Sequence, residues 1–483
     1  KYIEGSFGAP YRDWLFSIHE GSAGRCDLAA HFLRRTRLML GLHGTLGFVA
    51  TNTIAQGDTR ESGLLPILRS GGRLFDVRES IRWAGEAAVT ISTLHIAVGR
   101  LAAGLTAVFN GVPVAHINSR LKPQPERAEP VALHNNEGLN YNGVNTGGSG
   151  FLISSAERQE LLRACPEAAR RLPMFVGGDD INNDPSWEST RFVIDFSDLD
   201  LEEARRFQPL MNIVVKRVKP TREQSPDNAH GRRLKERWWQ FREAQPALRG
   251  MLLGLPRCLV CGVYPKHLAF VLRSTVGVLF NNKVSVFGLD TYTSFAVLQS
   301  RVFEPWARRF SPTMGAADSI SFAPSKCFLN FPFPHSDPRN TIDQLEEIGR
   351  AVHEARTTFQ QAEQAGLTSF YDRVKSSDDG NPAITRLRAL HEALDRAVLA
   401  AYDWGDIAVP PYTTPATPEE EKALEAFQDE VIDRLFVLNA ARAKEEELAN
   451  ASGTKPRGKA KAAAKGPKPG DANQLHLLDK DSK

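Results

Sequence analysis

Between Ala204 and Arg249 the chain carries twelve Lys or Arg against four Asp or Glu, a local excess of eight positive charges in a protein whose formal net charge is +3. Inside that stretch, Gly231-Arg-Arg-Leu-Lys-Glu-Arg-Trp-Trp-Gln-Phe-Arg242 sets cations beside two indole rings. This chemistry suits a polyanion: ammonium and guanidinium groups position a phosphate backbone, while flat rings stack on bases or sugars. The candidate contacts are Lys216, Arg217, Arg232, Arg233, Lys235, Trp238 and Trp239. The competing reading is a solvated helix face whose tryptophans belong to a core, since Trp is mostly buried on average. A second polar pair, Lys266-His267, follows Tyr264-Pro265 between two apolar runs. It suits a phosphate or a base edge, or is a loop pair with no role.

Other chemistries find little support. Cys258-Leu-Val-Cys261 is a lone CxxC with no second pair and no His at finger spacing, so a zinc ion would lack two ligands. No phosphate-binding P-loop, no Gly-x-Gly-x-x-Gly after a strand and no helical His pair for a metal occurs. Asn183-Asp-Pro-Ser-Trp187 partly matches the (Asp/Asn)-Pro-Pro-aromatic signature that holds an exocyclic amine, but it lacks the second proline and lies too far from a strand end. No apolar run approaches the ~20 residues that cross a bilayer. Five cysteines spread over 483 residues suit a reducing cytoplasm better than a disulfide framework. The opening from Lys1 has neither the apolar stretch nor the cleavage site of a signal peptide, and reads as a cut.

The elements that would position these residues follow from periodicity. Asp27 to Leu40 reads as a capped helix, Thr45 to Thr51 as a strand, Ser62 to Arg69 as a helix, and Leu74 to Val77 and Ala87 to Ile96 as strands. That alternation predicts an α/β layer with a largely parallel sheet. Gly-, Pro- and Asn-rich residues 111–150 read as a linker. Residues 151–335 mix helix (Ser155 to Cys165) with strands (Arg191 to Phe196, Cys258 to Val263, Ala269 to Leu272, Val284 to Leu289), giving an α+β second unit. Residues 336–450 turn helical, with starts at Asn340, Asn381-Pro382 and the capping box Thr417-Pro-Glu-Glu420. They make a small bundle or a cover for the other domains. From 451 to 483 the chain reads as a disordered basic tail: Lys455 to Lys468 has six basic residues and no acid, and suits a nonspecific DNA tether.

Several stretches resemble one family in their order along the chain. Gly44-Thr-Leu-Gly-Phe-Val-Ala50 followed by Thr51-Asn-Thr-Ile-Ala-Gln-Gly-Asp-Thr-Arg60 resembles the segment after the catalytic strand in MmeI-like, type IIG class adenine-N6 DNA methyltransferases. Trp83-Ala-Gly-Glu-Ala-Ala-Val89, Lys235-Glu-Arg-Trp-Trp-Gln-Phe241, Ser300-Arg-Val-Phe-Glu-Pro-Trp306 and Pro324-Ser-Lys-Cys-Phe-Leu-Asn-Phe-Pro-Phe-Pro334 agree with it. So do Gly366-Leu-Thr-Ser-Phe-Tyr371, Leu387-Arg-Ala-Leu-His391 and Asp395-Arg-Ala-Val-Leu-Ala-Ala-Tyr402.

The resemblance implies that residues 1–110 are the closing part of a Rossmann-like, S-adenosylmethionine-dependent methyltransferase sheet, 151–335 a target-recognition domain and 336–450 a helical unit. The family's Gly-rich S-adenosylmethionine loop and Asn-Pro-Pro-aromatic catalytic loop are not in these 483 residues and are expected upstream of Lys1. A fragment is therefore expected, with no catalytic residue of its own and no methyl transfer alone, because the adenine amine must be oriented in line with the sulfonium methyl. Family enzymes rotate the target adenine out of the duplex, and Trp83 matches a place where relatives put a stacking aromatic; core packing at the sheet edge competes with that role. Arg60, closing its run, joins the DNA-contact candidates. The implied partners are double-stranded DNA and other defence-system subunits. The implied function is site-specific adenine methylation in a restriction-modification or phage-defence system. The alternative is a stand-alone specificity subunit that recruits a separate catalytic chain, and an incomplete sheet with an exposed apolar edge would favour the fragment over it.

Overall fold

The computed structural model describes residues 3–451, apart from 23, 25, 84–88, 127, 187–188 and 315–318. The basic tail therefore lies outside the described residues, as does the interior of the Trp83 to Val89 run and Trp187 of the partial amine-holding signature. Asp27 starts the helix Leu28–Met39 by accepting the Ala29 N–H at 3.0 Å, as its position in the sequence predicts. The strand β1 (Gly44–Thr51) follows, then β2 (Arg73–Arg82), β3 (Thr90–Val98), β4 (Ala107–Phe109) and β5 (Val112–Val114).

These five strands form one mixed sheet in the order β1-β3-β2-β4-β5. The expected parallel sheet is not what forms: β1 and β2 both run antiparallel to β3, β4 and β5 are antiparallel, and only β2 and β4 are parallel. The reason is connection length, since the few residues between Arg82 and Thr90 allow a hairpin but not a crossover. Leu33 from the helix, Leu46, Ile54, Leu64, Leu74, Val77, Leu94 and Ile96 close the core on one face.

Residues 111–150 are not a linker. Their start gives β5 to the first sheet and their end gives β6 (Asn140–Asn142) to the next unit. That unit adds β7 (Leu152–Ser154), β8 (Met174–Val176), β9 (Arg191–Val193), β10 (Arg257–Gly262), β11 (Val271–Ser274), β12 (Val278–Phe280) and β13 (Val284–Phe287). The antiparallel sheet β11-β10-β13-β6 is its centre, and the mixed sheet β12-β8-β9-β7 lies beside it. The strand β10 is buried on both faces, which explains its unbroken apolar sequence. Leu259 and Cys261 point into a core with Phe270, Phe287, Phe303 and Trp306, while Cys258 and Val260 point into one with Phe370, Tyr371 and Ile384.

The second of those cores is half supplied by the helical end, so the C-terminal helices are a cover for the central sheet. They are Asp343–Glu363, Leu367–Lys375, Pro382–Ala401 and Pro418–Ala451. Asn381 accepts the Ala383 N–H at 2.8 Å, and Thr417 accepts the Glu420 N–H at 3.2 Å. Buried polar groups weld cover to sheet. Arg301 donates to Asp395 at 2.6 Å through Nε and to the Pro410 and Pro411 carbonyls, and its backbone N–H donates to the same carboxylate at 2.7 Å. Arg356, fully buried, donates to the Phe270 carbonyl, Gln299 and Tyr371. Asn439 on the last helix accepts the Val131 N–H and donates to the Val131 and Asn330 carbonyls, within 2.8–3.0 Å.

Candidate nucleic-acid interface

The basic stretch folds as three short helices, Gln208–Arg217, Lys219–Glu223 and Ala229–Glu236, laid against the β7–β9 unit. The last of them starts where Asn228 accepts the Gly231 N–H at 2.8 Å. Glycine is required at 231, because a Cβ there would lie 1.7 Å from the Pro226 carbonyl oxygen. Arg232, Arg233 and Lys235 all project into solvent from this helix. Arg232 shares its guanidinium with Asp227 at 3.3 Å, whereas Arg233 and Lys235 have no partner among the described residues. On the helix Gln208–Arg217 Lys216 is likewise exposed and unpartnered among the described residues. Four of the seven candidates of this stretch are thus exposed, three on Ala229–Glu236 and one on Gln208–Arg217.

The other three are tied into the fold. Arg217 bridges Glu157 and the Leu152 carbonyl. Glu157 also accepts the Ser154 N–H, and these contacts hold its carboxyl down at about 2. Trp238 and Trp239 are half-buried against the core that contains Phe241. The Trp239 Nε1 donates to the Leu199 carbonyl at 3.1 Å, and the Lys219 ammonium sits 5.4 Å from the Trp238 ring centre. Both rings thus rest on the core with part of their surface still open.

The remaining candidates lie elsewhere. Lys266 and His267, on the turn between β10 and β11, both bond the Asp372 carboxylate, at 2.7 and 2.6 Å. Burial lowers the pKa of His267 against the opposing pull of Asp372. This pair joins sheet to cover, and His267 is largely enclosed. Arg60 is a plain correction: it is fully buried, donates to Ser119 at 2.6 Å and pairs with Glu129, with Glu126 at 3.8 Å. Arg120 shares Glu129 and is pushed down to about 10, first by burial and then by Arg60. No phosphate reaches Arg60. Trp83 stands at the end of the β2–β3 hairpin, its N–H bonded to the Val89 carbonyl at 3.0 Å. It is 47% exposed.

Two sequence features settle as structural. Cys258 and Cys261 face opposite sides of β10 and so cannot grip one ion. Asn183 ends the helix Gly178–Asn183 packed against Gly366, and Asp184 caps Ser186 locally at 2.8 Å. What sequence reasoning missed is the convergence of the family-like runs: Arg301, Tyr371, His391 and Asp395 meet at the buried seam between sheet and cover. The signal is available, since a Ser-Arg and an Asp-Arg run inside apolar segments asks for a buried partner.

Residues 129–335 match the family model described as the MmeI target recognition domain. Comparison with curated proteins found no match. Among solved structures, the type IIL restriction-modification enzyme MmeI in complex with DNA is similar over 90% of this chain and 55% of that one, at 17% identity and a TM-score of 0.67. The type IIG restriction endonuclease BpuSI aligns over 82% of this chain and 52% of that one, at 9% identity and a TM-score of 0.30. The DrdV–DNA complex aligns over 85% and 44%, at 10% identity and a TM-score of 0.31. The first of these is a likeness of fold. The chain spans about half the length of that solved enzyme.

Proposed function

Taking residues 129–335 as a target recognition domain of the MmeI type, we propose that this chain reads a specific site on double-stranded DNA for an adenine-N6 methyltransferase of a restriction-modification or phage-defence system. The observation that carries the reading is the coincidence of that domain with the exposed, unpartnered cations of the basic helix. Arg233, Lys235 and Lys216 supply backbone phosphate contacts, which fix register without reading sequence. Sequence is read by side chains of the same domain at base edges in a groove. Trp83 stacks on the extruded adenine. S-adenosylmethionine is the methyl donor, held by residues other than these 483, and this chain alone transfers no methyl group. Once bound, the donor supplies an electrophilic methyl group to a base that this chain selects.

The test is selection from a randomised duplex pool, followed by methyl incorporation from labelled S-adenosylmethionine. Enrichment of one defined site with no incorporation is the expected result. A flat pool refutes target recognition, and incorporation by this chain alone refutes the placement of the chemistry elsewhere.

A further inference from the structure

Arg222 lies in the middle of the basic stretch with its charge unanswered. It belongs to the short helix Lys219–Glu223 and is 4% exposed. Its Nη2 donates to the Thr146 carbonyl at 2.6 Å, the one hydrogen bond of its side chain among the described residues, and its enclosed Nε meets no acceptor there. No carboxylate pairs with it among the described residues; burial first, and the charge of Arg242 second, push its pKa down. Arg60 and Arg301, also buried, each face a carboxylate. An arginine is rarely enclosed without such a partner, because desolvating an isolated charge costs far more than desolvating a paired one.

The chain lying against this guanidinium is the run Thr146-Gly-Gly-Ser-Gly150. Gly147, at φ +71°, faces it directly: a Cβ there would lie 2.7 and 2.9 Å from Nη1 and Nη2 of Arg222, and 2.8 Å from the Arg242 Cβ. Gly148, at φ +142°, borders open space, and both it and Ser149 are exposed. The bend is fixed from within, since Asn145 accepts the Gly147 N–H at 2.9 Å and the Thr146 hydroxyl donates to the Gly148 carbonyl at 2.8 Å. The N–H groups of Gly148 and Ser149 meet no acceptor among the described residues. Successive N–H groups at such a bend make an anion-binding concavity. Arg242, exposed and outside any ion pair among the described residues, stands beside it.

We propose that Arg222, Arg242 and the N–H groups of Gly148 and Ser149 form a phosphate-binding site, and that its occupant is a backbone phosphodiester of duplex DNA. The choice of DNA rests on the target-recognition reading above, because the bend and both arginines lie within residues 129–335. A phosphate suits these donors: a planar guanidinium and two peptide N–H groups address separate oxygens of one tetrahedral ion. It also supplies the counter-charge that Arg222 lacks. The contact differs in kind from those of Arg233 and Lys235, which project on solvated side chains. Arg222 is held by Thr146 and by its own burial, so the phosphate it takes is fixed in place and sets where the domain stands along the duplex.

The test uses the full chain and two variants. Arg222→Met removes the guanidinium and leaves an apolar side chain in its place. Ser149→Pro removes one N–H at an exposed position that opens the turn Ser149–Phe151, and it decides the matter wherever Arg222→Met does not fold. With inorganic phosphate exchanged for chloride at fixed ionic strength, the unfolding midpoint of the parent is expected to rise more than that of either variant. On duplex DNA, Arg222→Met is expected to lower the slope of log affinity against log salt by about 0.9, which is about eightfold in affinity at ~0.1 M salt. Ser149→Pro is expected to weaken binding about tenfold, through the lost bond to a charged oxygen. A phosphate response with DNA binding unchanged in both variants overturns the DNA assignment in favour of a free phosphate. Variants that match the parent in both measurements overturn the site and leave Arg222 a brace for Thr146. Site selection on the same samples keeps the two readings apart: a selected site with unaltered variants sinks this phosphate site alone, and a lowered slope with no selected site sinks target recognition alone.

Discussion

Removing Arg233 and Lys235 together is the sharpest perturbation of the interface, because their charges meet no partner among the described residues and Arg232 beside them is partly spent on Asp227. Each phosphate neutralised on duplex DNA contributes about 0.9 to the slope of log affinity against log salt. Arg233→Ala/Lys235→Ala leaves two phosphates without their cations and therefore lowers the slope by about 1.8. At ~0.1 M salt that equals about 60-fold in affinity, or ~2.4 kcal/mol. The loss is uniform over sequences, because backbone contacts carry no base information. Fluorescence anisotropy from about 50 to about 300 mM salt, on a selected site and on a scrambled duplex, measures both numbers. Arg60→Ala is the control: buried and paired, it is expected to lower the unfolding midpoint and leave the slope alone. An unchanged slope in the double variant refutes the argument that these cations touch phosphate.

Four further outcomes follow from the geometry. Asp395→Ala leaves the Arg301 guanidinium and N–H without their shared acceptor, so urea unfolding is expected to show a loss of about 3–5 kcal/mol. Glu157 titrates at about 2 in the fold against 4.5 unperturbed, so its contribution is fully present above pH 4.5 and is lost as pH falls towards 2. Glu157→Gln is expected to flatten the acid limb of stability in that window, by about 1 kcal/mol or less because the carboxylate is partly solvated. Trp239→Phe keeps the packing and removes the bond to Leu199, a cost of about 1 kcal/mol by thermal unfolding. Trp83→Ala is expected to stay within about 0.5 kcal/mol of the parent in stability, since its ring joins no core among the described residues.

Local chemistry is readable in the sequence and nonlocal pairing is not. Asp27, Asn381 and Thr417 mark helix starts because a cap acts within three residues. The basic helix stands out for the same reason, as a composition bias confined to a few turns. The sheet of the first unit escapes a sequence reading because alternation of helix and strand does not say which edges meet, and the short β2–β3 connection dictates a hairpin. Arg60 looks free in the sequence because its carboxylate Glu129 lies 69 residues away, and Lys266 and His267 because Asp372 lies 106 and 105 away. A charged residue's partner at that separation leaves no trace in its neighbours. The indole pair at 238 and 239 illustrates the middle ground: type and spacing announce an aromatic beside cations, but only the fold shows that both rings also rest on a core.

Asn439 joins the last helix to the rest of the chain by addressing main chain alone: the N–H and carbonyl of Val131 and the carbonyl of Asn330. An amide that pairs with peptide groups is blind to what side chains those residues bear. The clasp therefore constrains the path of the backbone at 131 and 330, near the two ends of the recognition domain, and places no demand on the sequence between them. At those two positions a change of side chain leaves the clasp intact, whereas a change in the path of the backbone breaks it.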